Sequence, residues 1–284
     1  MQGRLLPPTR GRIQAFPVNA WREEFASALE AGLSCIEWIY EFDTAPDNPL
    51  GADGGPDEIR DIVESTGVAV RSVCGDYYMS DRLVSRDGEV QAEVVEHLRW
   101  LIERTALVGA RYLVLPFVDA SSLTTQAEHD GLAALLRLAL PAAERAGIGL
   151  HLETDLPTGV LLTLMRDSVP HPLLRITCDI GNEAALGYDP RDHWKSLGPW
   201  LGSVHVKDRV LGGGTVPLGE GYANIAAFFA MFASARYGGT FILQVARGID
   251  GDEVALARRN REVVESRWSE ALRVEAPAQG GSSD

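Results

Sequence analysis

Four polar side chains, each at the end of a short apolar run, define the chemistry open to this chain. They are Glu153 in H-L-E-T-D, Asp179 in T-C-D-I-G-N, His205 in V-H-V-K-D and Gln244 in I-L-Q-V-A-R. Together they offer carboxylate oxygens, an imidazole nitrogen and an amide oxygen, and no thiolate. That donor set suits one divalent ion (Mn2+, Mg2+, Co2+ or Zn2+) with positions left open for a substrate. Burying such groups without a purpose is costly, which argues for a working site. Gln244 reads either as a ligand or as a hydrogen-bond partner of the substrate, because its amide both donates and accepts.

Side chains two residues apart on a strand share a side. His151 therefore accompanies Glu153, and Lys207 accompanies His205, as candidates for a second acid or a proton shuttle. The plain alternatives are a satisfied interior histidine and a lysine paired with a rim carboxylate. Glu37 and Asp76 also end apolar runs and read as acceptors for substrate hydroxyls or as supports for the ligands. Arg4 and Arg247 could clamp a carboxylate or phosphate, or simply form rim salt bridges. Trp38, Tyr40, Tyr77 and Tyr78 follow run ends and fit either a pocket wall or ordinary packing. His97, His129, His171 and His193 read as solvated surface.

These residues need elements that converge, and the hydrophobic pattern supplies them. Helical spacing with glycine stops predicts helices over 21–31, 57–66, 87–108, 124–146, 158–167, 190–197, 223–236 and 251–271. Pro141 should kink or divide the fourth. Short apolar runs predict strands over 1–5, 33–39, 68–74, 112–118, 148–152, 174–178, 202–206 and 240–245. Eight strands alternating with eight helices imply parallel βαβ units closed into a (β/α)8 TIM barrel, one domain over residues 1–271. The G-x-G-x-x-G turn of an open dinucleotide-binding sheet is absent. Active sites of barrels lie at the carboxyl ends of the strands, where the four polar residues stand. Residues 272–284 are small and polar at their end and should be a disordered tail.

Composition narrows the partners. At 284 residues with 45% hydrophobic and 23% charged residues, the chain has the make-up of an ordinary globular protein and can bury a large core. A net charge of −14 repels phosphate backbones, so no nucleic-acid partner is expected. No apolar run is long enough to span a membrane, and M-Q-G-R-L-L-P-P lacks the apolar stretch of a secretion signal. Cys35, Cys74 and Cys178 sit in apolar runs and read as reduced buried thiols. The expected location is the cytoplasm.

In order and spacing these motifs resemble the xylose isomerase-like barrels, specifically the sugar phosphate isomerase/epimerase group that includes ketose 3-epimerases and inosose dehydratases. The likeness runs from M-Q-G-R-L to about residue 270 and includes the G-E-G at Gly219–Gly221. It implies that Glu153, Asp179, His205 and Gln244 hold one metal. Two positions depart from the family pattern: Gln244 stands where the family has a second glutamate, and Asn182, on the substrate side, where a histidine is common. In ketose epimerases the two glutamates exchange one proton across opposite faces of a carbon, and an amide cannot accept that proton. The resemblance thus implies an isomerase, epimerase or dehydratase for a small sugar or keto-polyol. Glu153 would remove the proton next to a metal-bound carbonyl. A homodimer is a further expectation, since related barrels often pair. The alternative is a degenerate barrel that binds a sugar-like ligand without turnover. A zinc phosphodiesterase of the endonuclease IV type would need more histidines and a basic face.

Overall fold

The computed structural model describes residues 1–249 and 251–275. Seven parallel strands form its sheet: β1 (Cys35–Ile39), β2 (Ala69–Cys74), β3 (Tyr112–Phe117), β4 (Gly149–Thr154), β5 (Leu174–Asp179), β6 (Leu201–Val206) and β9 (Phe241–Leu243). They pair in the order β1-β2-β3-β4-β5-β6-β9. A two-residue ribbon, β7 (Asp208–Arg209) against β8 (Thr215–Val216), projects from the loop after β6. The helices are α1 (Glu23–Glu30), α2 (Gly55–Thr66), α3 (Ala92–Leu107), α4 (Gln126–Ala146), α5 (Thr158–Leu162), α6 (Ile180–Ala185), α7 (Pro190–Leu197), α8 (Ile225–Ser234) and α9 (Glu253–Glu275).

The circle closes through the N-terminal segment, although residues 1–5 are not a regular strand as expected. Gln2 N–H donates to Leu243 O at 3.2 Å, and Glu37 N–H donates to Met1 O at 3.0 Å, linking β9 to β1. The ladder stops there because Gly3 has φ +54°, outside the strand region. The positive φ favours glycine at position 3, and a Cβ there would also press on Ile39 Cδ1 at 2.3 Å and Ala15 O at 3.2 Å. The chain is a TIM barrel.

Several local expectations change. α4 runs as one helix through Pro141, where a kink or division was expected, so the proline does not divide it. Proline removes only its own N–H from the ladder, and Arg99 caps the nearby Leu138 carbonyl at 2.9 Å through Nη2. α5 continues as a π-helical turn over Thr163–Ser168. The single turn of α6 follows β5 directly and carried no periodic signal. α9 extends to Glu275, past the expected end at 271, and the rest of the expected tail lies outside the described residues. Cys35, Cys74 and Cys178 are free and buried. No described helix is long and apolar enough to cross a membrane.

Outward-facing strand residues such as Leu113, Leu150, Leu152 and Val204 are fully buried beneath the helices. Inward-facing residues fill the barrel in layers, as this architecture requires. The lower layer is polar and largely hydrogen-bonded, with the buried Tyr112 hydroxyl left without a partner among the described residues. His151 Nδ1 meets Ser203 Oγ at 2.9 Å, Ser203 meets Thr177 Oγ1 at 2.8 Å, and the His151 ring stacks on Tyr112 at 4.2 Å. The layer above it carries the site.

Candidate active site

Period-two alternation sends Glu153, Asp179 and His205 inward from the ends of β4, β5 and β6. The register sets Asp179 directly beside His205. Among the described residues these three form a group able to hold a metal, with one ligand atom from each within 4.8 Å of the others. His205 Nδ1 faces Glu153 Oε2 at 3.4 Å and Asp179 Oδ2 at 3.9 Å. Its Nε2 lies 3.0 Å from Glu37 Oε1, and Glu37 Oε2 takes the Ser72 hydroxyl at 2.6 Å. Neither ring nitrogen of His205 has a hydrogen bond of good geometry, and both are buried.

Each buried ion costs on the order of several kcal/mol in desolvation, so the arrangement must answer charge with charge. Burial opposes the charged form of His205, yet Glu37 and Glu153 win and raise its pKa to about 10. Burial likewise opposes ionisation of Asp179 and Glu37. Lys207 and His205 hold Asp179 below the usual carboxylate range, and His205 and Ser72 do the same for Glu37. Without a metal, a protonated His205 answers these carboxylates alongside the Lys207 ammonium on Asp179. The fit to a divalent ion follows from that: an orphaned buried nitrogen faces two carboxylates, and an ion there would replace the proton on Nδ1. Asp179 retains lone pairs for a ligand bond although Lys207 Nζ donates to its Oδ2 at 2.7 Å and Asn182 N–H to its Oδ1 at 2.8 Å.

Above this cluster opens a cavity of about 390 Å³. Glu153, Asp76, Asn182, Lys207 and Gln244 line it, whereas Asp179, His205 and Glu37 stand behind its wall. Asn182 Nδ2 donates to Glu153 Oε1 at 3.0 Å and its Oδ1 accepts from Arg209 at 2.7 Å, so the amide orients the carboxylate. Asp76 accepts from Gln14 Nε2 at 2.6 Å, and burial raises its pKa to about 6. Gln244 is 3% exposed at the end of β9.

Two expected participants stand elsewhere. His151 does not line the cavity: it lies one layer down, and burial with Arg175 nearby lowers its pKa to about 3, so it is neutral and structural. Arg247 donates to the carbonyls of Gly3, Leu6 and Ile13 at 2.7–2.9 Å, which fastens the N-terminal segment, and it is not a wall residue. The expected solvated histidines also shift. His97 is sandwiched between Trp100 and Tyr77 beneath Tyr40 and Tyr78, and His193 stacks on Tyr188. Trp38, Tyr40, Tyr77 and Tyr78 pack against other groups, and Phe42 is the aromatic ring in the cavity wall.

Arg209, Arg12, Glu41 and Gln14 were not anticipated. Arg209 extends the alternation of His205 and Lys207, so a signal existed. Arg12 and Gln14 come from an irregular segment with no periodicity to read.

The arrangement has relatives. L-ribulose-5-phosphate 3-epimerase UlaE of Escherichia coli strain SMS-3-5 is 26% identical over 281 residues, covering 93% of this chain and 95% of the relative. The structure of an L-ribulose 3-epimerase superposes with a TM-score of 0.76 at 17% identity, covering 100% of this chain and 98% of that one. A xylose isomerase-like TIM barrel protein from Mycobacterium smegmatis in complex with magnesium gives a TM-score of 0.67 at 19% identity, over 95% and 94% of the two chains. The model of the xylose isomerase-like TIM barrel family matches residues 25–267, and the chain belongs to that family.

Proposed function

We propose that this protein is a metal-dependent isomerase or epimerase, or a dehydratase, acting on a small sugar or keto-polyol by removing the proton next to its carbonyl. The observation that carries the reading is the convergence of Glu153, Asp179 and His205 beside an open polar cavity. The sugar epimerases among its relatives support it, and a neighbour in complex with magnesium supports the metal.

Glu153, Asp179 and His205 would hold the ion, with Gln244 as a fourth donor or a substrate contact. A bound divalent cation would polarise the carbonyl oxygen and acidify the adjacent C–H bond. Glu153 is the base, its carboxylate oriented by Asn182 and Arg209. Lys207 lies in the wall with its ammonium on Asp179 and is placed to return a proton to carbon or to a departing hydroxyl. Glu37 fixes the far side of the His205 ring, which keeps Nδ1 turned toward the ligands.

The test combines metal analysis with NMR in D2O of ketoses, aldoses and keto-inositols in the presence of Mn2+ or Mg2+. About one ion per chain and deuterium at the carbon beside the carbonyl are expected. Glu153→Gln should cut the exchange rate by ~10²-fold or more. A protein that binds metal and sugar but exchanges no proton would be the non-catalytic barrel, which the neutral amide of Gln244 favours. A protein that takes up no ion from excess Mn2+, Co2+ and Zn2+ would defeat the metal-dependent enzyme and leave the non-catalytic barrel.

A further inference from the structure

Four cationic side chains line the cavity, and three are already answered. Arg12 is 2.5 Å from Glu41, Lys207 is 2.7 Å from Asp179, and Arg209 donates to Asn182 Oδ1 and Gly213 O. Arg4 is different. It is 4% exposed, its single hydrogen bond runs from Nη1 to Gln2 O at 2.8 Å, and its Nε has no partner. No carboxylate oxygen lies within 4.0 Å of its guanidinium among the described residues. Burial and the neighbouring Arg247 lower its pKa to about 10, which leaves it charged at neutral pH. The acidic groups whose field it feels are engaged elsewhere: Asp179 by Lys207, Glu37 by Ser72, and Asp76 by Gln14 and Cys74.

Gln244 shares that wall and that condition. Its side-chain amide hydrogen-bonds no protein group among the described residues. The bond from Gln2 N–H to Leu243 O brings the segment bearing Arg4 against the strand end bearing Gln244. Two donors with groups unanswered by protein, one of them a buried cation, thus line the same cavity from neighbouring segments. A neutral hydroxyl would leave the guanidinium without a counter-charge in a poorly solvated place. An anion would meet both its charge and its forked N–H groups. A carboxylate at position 244 would oppose such an anion, and the amide does not.

We propose that Arg4, aided by the amide of Gln244, receives an anionic group of the substrate, so that the natural substrate is a sugar acid or a sugar phosphate. This rests on reading the cavity as the site of a carbohydrate enzyme.

Titration calorimetry of the Mg2+-loaded protein tests it. The probes are inorganic phosphate, glycolate, and a set sharing one ketose head: D-fructose, D-fructose 6-phosphate and D-fructuronate. At least one anion should bind, a charged ketose should bind about tenfold or more tighter than D-fructose, and Arg4→Gln should abolish the difference while Mg2+ affinity holds. Preference for the phosphate or for the carboxylate member then identifies which anion the site takes. Arg4→Lys keeps the charge without the fork and should retain part of the preference, which covers the case where Arg4→Gln fails to fold. Failure of every anion to bind, or equal binding by wild type and the folded Arg4 variants, overturns the proposal. Metal content and deuterium exchange report on the catalytic reading separately, since neither requires an anion.

Discussion

Gln244 is the residue on which the chemistry turns. In the proposed reaction Glu153 is one base; a carboxylate at position 244, in the same cavity wall, would add a second, which an amide does not. Gln244→Glu should therefore tighten metal binding, because a fourth donor becomes charged, yet slow the native reaction. The added charge would repel a developing enediolate and raise the pKa of one carboxylate of the pair. Metal titration and turnover at matched occupancy check both halves, and faster turnover in the variant would reverse the assignment. Glu153, Asp179, His205 and Gln244 were legible because alternation and strand-end position are written in local sequence. The pairing of His205 with Glu37 was not, since it spans the barrel from β6 to β1. Nor was the depth of His151: two residues along a strand keep the side but change the layer.

At the scale of elements, the loop after the ribbon shows how a single carboxylate can shape a rim. Asp208 is fully buried, and it accepts from Gly219 N–H at 2.9 Å and from the N–H groups of Gly221 and Ala223 at 3.0 Å. A Cβ at Gly221 would sit 2.1 Å from Asp208 Oδ1, so the G-E-G stretch is bound by close backbone approach. Asp208→Asn presents an NH2 group to these donors and should cost ~1–3 kcal/mol. The Gly219, Gly221 and Ala223 amides should then exchange with solvent much faster while those of the barrel strands do not. Unchanged protection at the three amides would mean the loop is held otherwise. The alternation of helices and strands was readable from hydrophobic period, and the helices ended near their glycines. The irregular closure at residues 1–5 was not, because Gly3 looks like any glycine until its φ and its contact with Ile39 are known. The ribbon and the turn of α6 are too short to leave a period.

Over the whole molecule, buried titratable groups shape how stability depends on pH. Burial raises Glu24 to about 7 and Glu183 to about 8; Glu183 accepts Trp194 Nε1 at 2.9 Å through both oxygens. A carboxyl whose folded pKa lies above its unfolded value contributes stability fully present below the unfolded value and lost as pH rises through the folded one. For Glu24 and Glu183 that loss begins near pH 4.5 and is complete above about 8. Histidines work in the opposite sense at lower pH. Burial lowers His97, His193 and His151, the last to about 3, so their contribution is complete above 6.5 and lost below it. Asp179 and Glu37, held low, add a further loss as pH falls through the carboxylate range. Between pH 6.5 and 9 the histidines have finished titrating, and with Mn2+ saturating, His205 carries no proton to lose. The two raised carboxyls then act against the buried Met1 amine, whose burial lowers its pKa and adds stability as pH rises toward 8.0. One pKa unit corresponds to ~1.4 kcal/mol, so the expected decline is on the order of a few kcal/mol. Tm measured at constant ionic strength should fall by several degrees from pH 6.5 to 9. Glu183→Gln, which still accepts from Trp194 and has no charge to bury, should flatten that slope and leave the profile below pH 4.5 unchanged. A wild-type Tm that is level or rising across this interval, or an equal slope in the variant, would show that Glu183 meets its charge in the folded protein.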